Sequence, residues 1–328
     1  MRPGTTDRLA GRCGWLGPAP ERLAGWTLRL AGTGAGATGW LDAVAGGMEP
    51  GRNDKREKVR RRKTMNIRQI TTVCFSPTGQ SRQAAERIAE QLPGVHETLD
   101  LTDAVSGRPD YRFTEDEAVV VAAPVYGGRI PSAAVERFRK LKGRSTAAVL
   151  VVTYGNRAYE DALAELQDVM VEQGFRPVAA AAVVAEHNIA RVYAAGRPDA
   201  SDQSRLEAFG RRTAEILEQV SCNYAIGELT VKGNRPYRPY GVIPLKIKVG
   251  SGCSGCGLCV KKCPVQAISR TDPKVTDETS CIGCMRCVRV CPSGSRKLGL
   301  LLEAGIRSKL KKVCSVRKEP EFFYETGK

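Results

Sequence analysis

Ile70-Thr71-Thr72-Val73-Cys74-Phe75-Ser76-Pro77-Thr78-Gly79-Gln80-Ser81 decides the architecture of this 328-residue chain. Ile70 to Phe75 is β-branched-rich and unbroken, the pattern of a strand buried on both faces. It passes directly into Ser76-Pro77-Thr78-Gly79 and then into a helical pattern from Gln80 to Gln91. Hydroxyls and backbone N–H groups at a helix N-terminus suit a phosphate dianion, and Gly79 lets the backbone approach it closely. Six residues alone describe an N-cap and tight turn just as well. Their position favours a ligand site, because open α/β sheets bind ligands at the carboxyl ends of their strands.

Further apolar runs lie at Ala118 to Ala123, Ala147 to Thr153 and Val178 to Val184, with a weaker one near Val95 to Leu99. Helical patterns fall between them at Ser132 to Lys140, Tyr159 to Glu172 and Asp202 to Gln219. Five strands alternating with helices predict an α/β, doubly wound parallel sheet over residues 65–220. Residues 221–247 read as a linker rich in Pro, Gly and Tyr, with no periodic element. Residues 248–295 form a cysteine-rich domain, and 296–328 an amphipathic helix (Leu298 to Val313) and a tail.

Residues 1–64 hold 12 Gly and end in the basic run Lys55 to Lys63, a composition that supports no regular core. Gly34-Ala35-Gly36-Ala37-Thr38-Gly39 matches a dinucleotide fingerprint in letters only. No strand precedes it, and its helix would meet Gly46-Gly47. Met65 opens the strand and helix alternation, so it is expected to be the true start, with a disordered leader or translated upstream sequence before it. Six acidic residues in that leader count against a transit peptide.

Eight of the 12 cysteines follow one pattern twice: Cys253-x-x-Cys256-x-x-Cys259-x-x-x-Cys263-Pro264 and Cys281-x-x-Cys284-x-x-Cys287-x-x-x-Cys291-Pro292. Such clustering in a large chain points to metal in a reducing compartment, the cytoplasm, rather than to disulfides. Zinc sites use two well-separated pairs per ion, whereas two complete four-cysteine runs, each closed by Pro, match iron–sulfur ligation in every position. Gly255, Gly257 and Gly283 let backbone amides approach a bulky inorganic core. Cys13, Cys74, Cys222 and Cys314 have no ligand-like spacing.

The paired runs resemble the two-cluster bacterial ferredoxin family over about 40 residues, with a highly specific motif. That resemblance implies crossed ligation of two [4Fe-4S] clusters, one by Cys253, Cys256, Cys259 and Cys291, the other by Cys281, Cys284, Cys287 and Cys263. The loop at Ser76 resembles the flavodoxin phosphate site, which implies FMN held by Ser76, Thr78, Gly79, Gln80 and Ser81 in a sheet of order 2-1-3-4-5. By the same resemblance the loops at 124–131 and 153–159 grip the flavin ring. Tyr126 and Tyr154 would sandwich it, and Gly127, Gly128, Gly155 and Asn156 would bond its edge. The whole of residues 67–328, including Glu186-His187-Asn188, looks like the flavodoxin–ferredoxin fusion proteins of anaerobes. It departs from simple flavodoxins in lacking a Trp beside the ring, and Arg129 and Arg157 are expected to favour an anionic reduced flavin.

The chain has no eighteen-residue apolar run and a mean hydropathy of −0.28, which excludes a transmembrane helix. Its net charge of +16 invites a nucleic-acid reading. However, 13 Lys/Arg against 6 Asp/Glu sit in residues 1–64, and cluster thiolates and a flavin phosphate would offset much of the rest. The expected function is low-potential electron transfer between FMN and two clusters, to or from a redox protein or enzyme. Two alternatives are a flavin-dependent reductase or oxidase of an organic substrate fed by its clusters, and a flavin-free interaction domain attached to a ferredoxin.

Overall fold

The computed structural model describes residues 67–219, 227–241 and 245–326. The readings of residues 1–64, Cys13 and Cys222 lie outside the described residues.

Five parallel strands form the main sheet: β1 (Gln69–Cys74), β2 (Val95–Asp100), β4 (Glu117–Pro124), β6 (Thr146–Tyr154) and β7 (Phe175–Val184). Their spatial order, β2-β1-β4-β6-β7, is the 2-1-3-4-5 order of a flavodoxin-like fold. β1, β4, β6 and β7 are buried almost end to end because helices cover both faces. These helices are α1 (Gln80–Ala89), α2 (Ser132–Phe138), α3 (Ala162–Glu172) and α4 (Ala200–Gln219). Val73, Val121, Leu150 and Val152 belong to the core on one face; Ile70, Val120, Val149 and Val183 belong to that on the other. Edge strand β2 is exposed along nearly its whole length, and its His96, Glu97 and Asp100 blunt it against pairing with another chain.

Two short strands, β3 (Tyr111–Phe113) and β5 (Leu141–Gly143), pair separately. The small cysteine-rich part contains β8 (Ile247–Val249) paired antiparallel with β9 (Arg296–Leu298), and one-turn helices α5 (Leu258–Lys261) and α6 (Arg286–Arg289). Helix α7 (Leu300–Cys314) follows, close to the expected span.

Two segments differ from the sequence reading. The tail forms a strand, β10 (Glu321–Tyr324), antiparallel to β7 and closing that edge of the sheet. Phe322 stacks on Phe209 of α4 with centroids 4.8 Å apart, so aromatic packing as well as the ladder holds it. The described part of the linker, 227–241, is strapped to α3. The buried Asp161 carboxylate accepts from the Asn234 amide (2.8 Å), its Nδ2 (3.0 Å) and the Arg238 amide (2.7 Å). Arg235 meets Asp168 through two 2.7 Å bonds. Polar side chains fix this segment without any periodic pattern, which is why it reads as a loose tether.

Candidate redox centres

The loop between β1 and α1 has the form of an anion nest. Gly79 has a φ of 88°, and a side chain added there would meet open space. Ser76 Oγ accepts from the Arg82 amide (3.0 Å), and Thr102 Oγ1 accepts from the Ser76 amide (2.7 Å). The amides of Thr78, Gln80 and Ser81 have no hydrogen-bond partner among the described residues. Unspent donors gathered at a helix N-terminus fit a phosphate. Two side chains are committed elsewhere: Ser81 Oγ to Thr153 Oγ1 (2.6 Å), and the Gln80 carboxamide to both backbone groups of Glu186 (3.1 and 3.2 Å). Backbone amides rather than the Gln80 and Ser81 side chains are therefore the donors on offer.

Beyond this loop, a cavity of about 350 Å³ opens at the carboxyl ends of β4, β6 and β7. Tyr126, Gly127, Gly128, Tyr154 and Gly155 line one side, with His187 and Asn188 beside them. Ile282 and Gly283 of the second cysteine run close another side, and Ile306, Lys309 and Leu310 of α7 a third. Tyr126 keeps part of its ring accessible while its hydroxyl is buried; burial, followed by the neighbouring Cys284, pushes its pKa well above the usual value.

Three expectations change here. Tyr154 is only 4% exposed and packs on Tyr159 at 5.4 Å, so although it borders the cavity it belongs mainly to the core and offers little face for a sandwich. Asn156 is absent from the cavity lining. Its Nδ2 donates to the Cys314 and Val316 carbonyls (2.7 and 2.8 Å) and its Oδ1 accepts from the Lys318 amide, holding the end of α7 and the chain that follows. Arg129 is neutralised by a two-pronged pair with Glu165 (2.8 and 2.7 Å), whereas Arg157 shares Glu160 (2.9 and 2.7 Å) with Arg238. The expected positive charge is therefore offset at Arg129 and only in part at Arg157, with Arg238 and Lys309 also on the cavity wall.

Close packing shapes the remaining lining. The Gly241 carbonyl lies over Gly127, where any side chain would collide with it, and Gly155 is covered by the His187 ring. His187 Nδ1 accepts from the Ile189 and Ala190 amides (both 3.2 Å), which leaves the proton on Nε2. Burial, then the Arg157 charge, lowers its pKa to about 4, so the ring is neutral at pH 7. Sequence patterning gave no warning of the Gly241–Gly127 and His187–Gly155 contacts, because they join residues 30 to more than 100 positions apart.

Four of the eight cysteines are brought together. Cys263, Cys281, Cys284 and Cys287 line one small cavity, bringing the fourth ligand of the first run to the first three of the second. These thiols sense one another electrostatically. Burial and then neighbours that include Cys287, Cys263 and Cys281 push Cys284 up to about 12. The Ala267 amide donates to Cys263 Sγ (3.3 Å), and the Gly283 and Arg286 amides bond Cys281 and Cys284. Around Cys291 the Ser293, Ser295 and Arg296 amides do the same and lower its pKa. Amide donors on sulfur are what a cluster site requires. Among the described residues no three Cys, His, Asp or Glu side chains converge on a point that a single ion could occupy.

Both runs are docked against the sheet, the second more extensively. Arg286 pairs with Asp103 (2.7 Å), Arg289 with Glu186 (2.7 Å), and Asn188 Nδ2 donates to the Gly283 carbonyl (3.2 Å). Arg137 Nη2 donates to the Pro264 carbonyl while Nη1 holds the Leu101 and Thr102 carbonyls at 2.7 Å. Ile282 and Cys284 join the same apolar core as Phe75, Ile130 and Leu150.

Fold and site thus define two redox modules packed as one. Residues 72–185 match the family described as a flavodoxin domain, and residues 252–295 match the 4Fe-4S dicluster domain. The chain is a fusion of a flavodoxin domain with a dicluster ferredoxin domain, and its role is redox electron transfer. Similar solved structures include a Streptococcus pneumoniae TIGR4 flavodoxin (17% identity, 45% of this chain and 99% of that one, TM-score 0.32). A flavodoxin from the domain Archaea is 15% identical over 46% of this chain and 99% of its own, at a TM-score of 0.32. A Fusobacterium nucleatum flavodoxin bound to flavin mononucleotide is 17% identical over 34% and 70%, at 0.27. A search of curated proteins returns no match. No helix among the described residues is long and apolar enough to cross a membrane.

Proposed function

We propose that this protein passes electrons between an FMN bound at the carboxyl end of its sheet and two [4Fe-4S] clusters, with a redox protein or enzyme at the far end. The observation that carries this reading is the shared cavity. Its walls come from the loops at Tyr126–Gly128 and Tyr154–Gly155 of the flavodoxin domain and from Ile282–Gly283 of the second cysteine run. FMN supplies one- and two-electron chemistry, and each cluster one-electron chemistry.

The chain's own part is to bind and to exclude water. The free amides of Thr78, Gln80 and Ser81 hold the phosphate, and Tyr126 covers one face of the ring. His187, kept neutral, offers its Nε2 proton at the cavity wall. Cys263, Cys281, Cys284 and Cys287 hold the cluster nearer the flavin; Cys253, Cys256, Cys259 and Cys291 hold the outer one. Because the strap and ion pairs dock the modules, the two centres meet without the search that a flexible tether would impose.

Anaerobic purification followed by iron, sulfide and flavin counting tests the reading. About eight irons and one FMN per chain are expected. Four irons, or no flavin released on denaturation, would overturn it. A flavin-free interaction domain draws support from Tyr154 and Asn156 being committed elsewhere, and the flavin count decides between the two.

A further inference from the structure

The two cysteine runs repeat with a spacing of 28 residues, so that Cys263-Pro264-Val265-Gln266-Ala267-Ile268 corresponds to Cys291-Pro292-Ser293-Gly294-Ser295-Arg296. Ile268 is 3% exposed and packs among Cys259, Cys263 and Ala267, as an apolar residue should. Its counterpart Arg296 is 2% exposed and is the largest fully buried side chain among the described residues. One half of the repeat buries a hydrocarbon where the other buries a cation.

That cation has no carboxylate partner among the described residues. Nη1 donates to the Pro273 carbonyl (2.5 Å), Nη2 to Thr276 Oγ1 (2.5 Å), and Nε has no partner. What surrounds it is sulfur: Nη1 reaches Cys259 Sγ at 3.7 Å, its guanidinium bonds Cys287, and its charge is felt by Cys281. Cys259 belongs to the outer quartet, Cys287 and Cys281 to the inner one. A buried, unpaired guanidinium is strongly unfavourable unless an opposite charge lies beside it. Four thiolates on a 2+ core leave each cluster site with net negative charge, which grows by one on reduction.

We propose that Arg296 is the counter-charge buried between the two cysteine quartets, and that it sets both clusters at a higher reduction potential than the isoleucine of the other half would. This inference rests on the cluster reading above. A cation beside a group that gains negative charge stabilises its reduced form. Arg296 acts through the cysteine ligands, so it is a positioning residue.

The test is a potentiometric titration of the purified holo chain, followed by electron paramagnetic resonance, with iron counted first. An iron-free wild type would fail the cluster reading itself, a result separate from any change in potential. With eight irons present, Arg296→Met is expected to lower both potentials, with a reduced-to-oxidised ratio at fixed ambient potential that falls about tenfold, equivalent to 59 mV for one electron. Arg296→Lys, which keeps the charge and loses the fork, should stay near wild type. Unchanged potentials in Arg296→Met, or an equal drop in Arg296→Lys, would overturn the proposal. If Arg296→Met loads too little iron, Arg296→Gln, which keeps an amide donor without charge, decides by the same criterion. Failure of both neutral variants to load where Arg296→Lys loads fully supports the counter-charge; failure of Arg296→Lys as well assigns Arg296 a role in shape alone.

Discussion

The two cysteine runs carry the same spacing and face different surroundings. In the first, Gly252 to Cys256 is solvent-facing apart from a half-buried Cys253; in the second, Ile282 to Met285 is buried against the flavodoxin domain. Leu258 and Lys261 of the first run correspond to Arg286 and Arg289, which pair with Asp103 and Glu186. Both runs touch the flavodoxin domain, the first through Lys262 and Pro264, but only the second buries its ligand loop there while the first exposes its own. Residues between the ligands make this difference, and the cysteines themselves do not.

Removing ligands should break the comparison most severely. Cys284→Ser is expected to lose about four irons and, because its side chain is also part of the sheet core, several kcal/mol of stability. Cys256→Ser should lose about four irons with a much smaller fall in melting temperature. Cys263→Ser tests the crossing: its spectrum should lose the same cluster as Cys284→Ser, although it lies in the other run.

The dryness of the inner side has a pH signature. His187 shares the cavity with Ile282 and Gly283, and its folded pKa of about 4 lies below the ordinary 6.5. The unfolded chain takes up the proton first as pH falls. Stability from this residue is therefore complete above pH 6.5 and is lost between pH 6.5 and 4, by up to about 3 kcal/mol at 1.36 kcal/mol per unit. In denaturant melts the stability of wild type should fall more steeply than that of His187→Gln as pH drops through that window, so the two approach each other. An identical pH dependence in both would reject the neutral buried ring.

Loosening the strap should make the inner site resemble the outer one. Burial alone would raise the Asp161 pKa, yet the Asn234 and Arg238 amides outweigh it and hold the carboxylate ionised. Asp161→Ala leaves those donors without their acceptor, a loss of about 2 kcal/mol. Limited proteolysis at 227–241 and faster oxygen bleaching of the inner cluster are the expected readouts. Unchanged bleaching would mean that the ion pairs at Asp103 and Glu186 suffice to keep the inner site closed.

Legibility in the sequence follows the range of the interactions. Continuous runs such as Ala147 to Thr153 announce a strand buried on both faces, and the cysteine spacing announces its chemistry, because both signals are local. Asn156 shows the opposite case. It lies in a loop where the resemblance to flavodoxins places ring contacts, and only the fold reveals that residues 314–318 take its side-chain hydrogen bonds. The strap and β10 were equally hidden: isolated polar residues and the three aromatics of Glu321–Tyr324 acquire partners on α3, α4 and β7 that no local pattern specifies.

The smallest effect concerns a single backbone position. Gly257 and Met285 are equivalent in the repeat, precede α5 and α6, and both adopt left-handed φ values, 70° and 62°. Glycine takes that conformation freely, whereas methionine is strained there by roughly 1 kcal/mol. Met285 is 6% exposed and packs with Ala190, Leu245, Leu298 and Ile306, so burial is what retains it. Met285→Gly should relieve the strain and lose the packing, for a net cost of about 1–2 kcal/mol. Gly257→Ala adds the strain without any packing gain, since nothing lies within 4 Å of its added carbon, and should cost about 1 kcal/mol. If Met285→Gly proved stabilising, the contact between the inner run and the flavodoxin domain would be weaker than its burial implies, and the distinction between the two runs would rest on ion pairs alone.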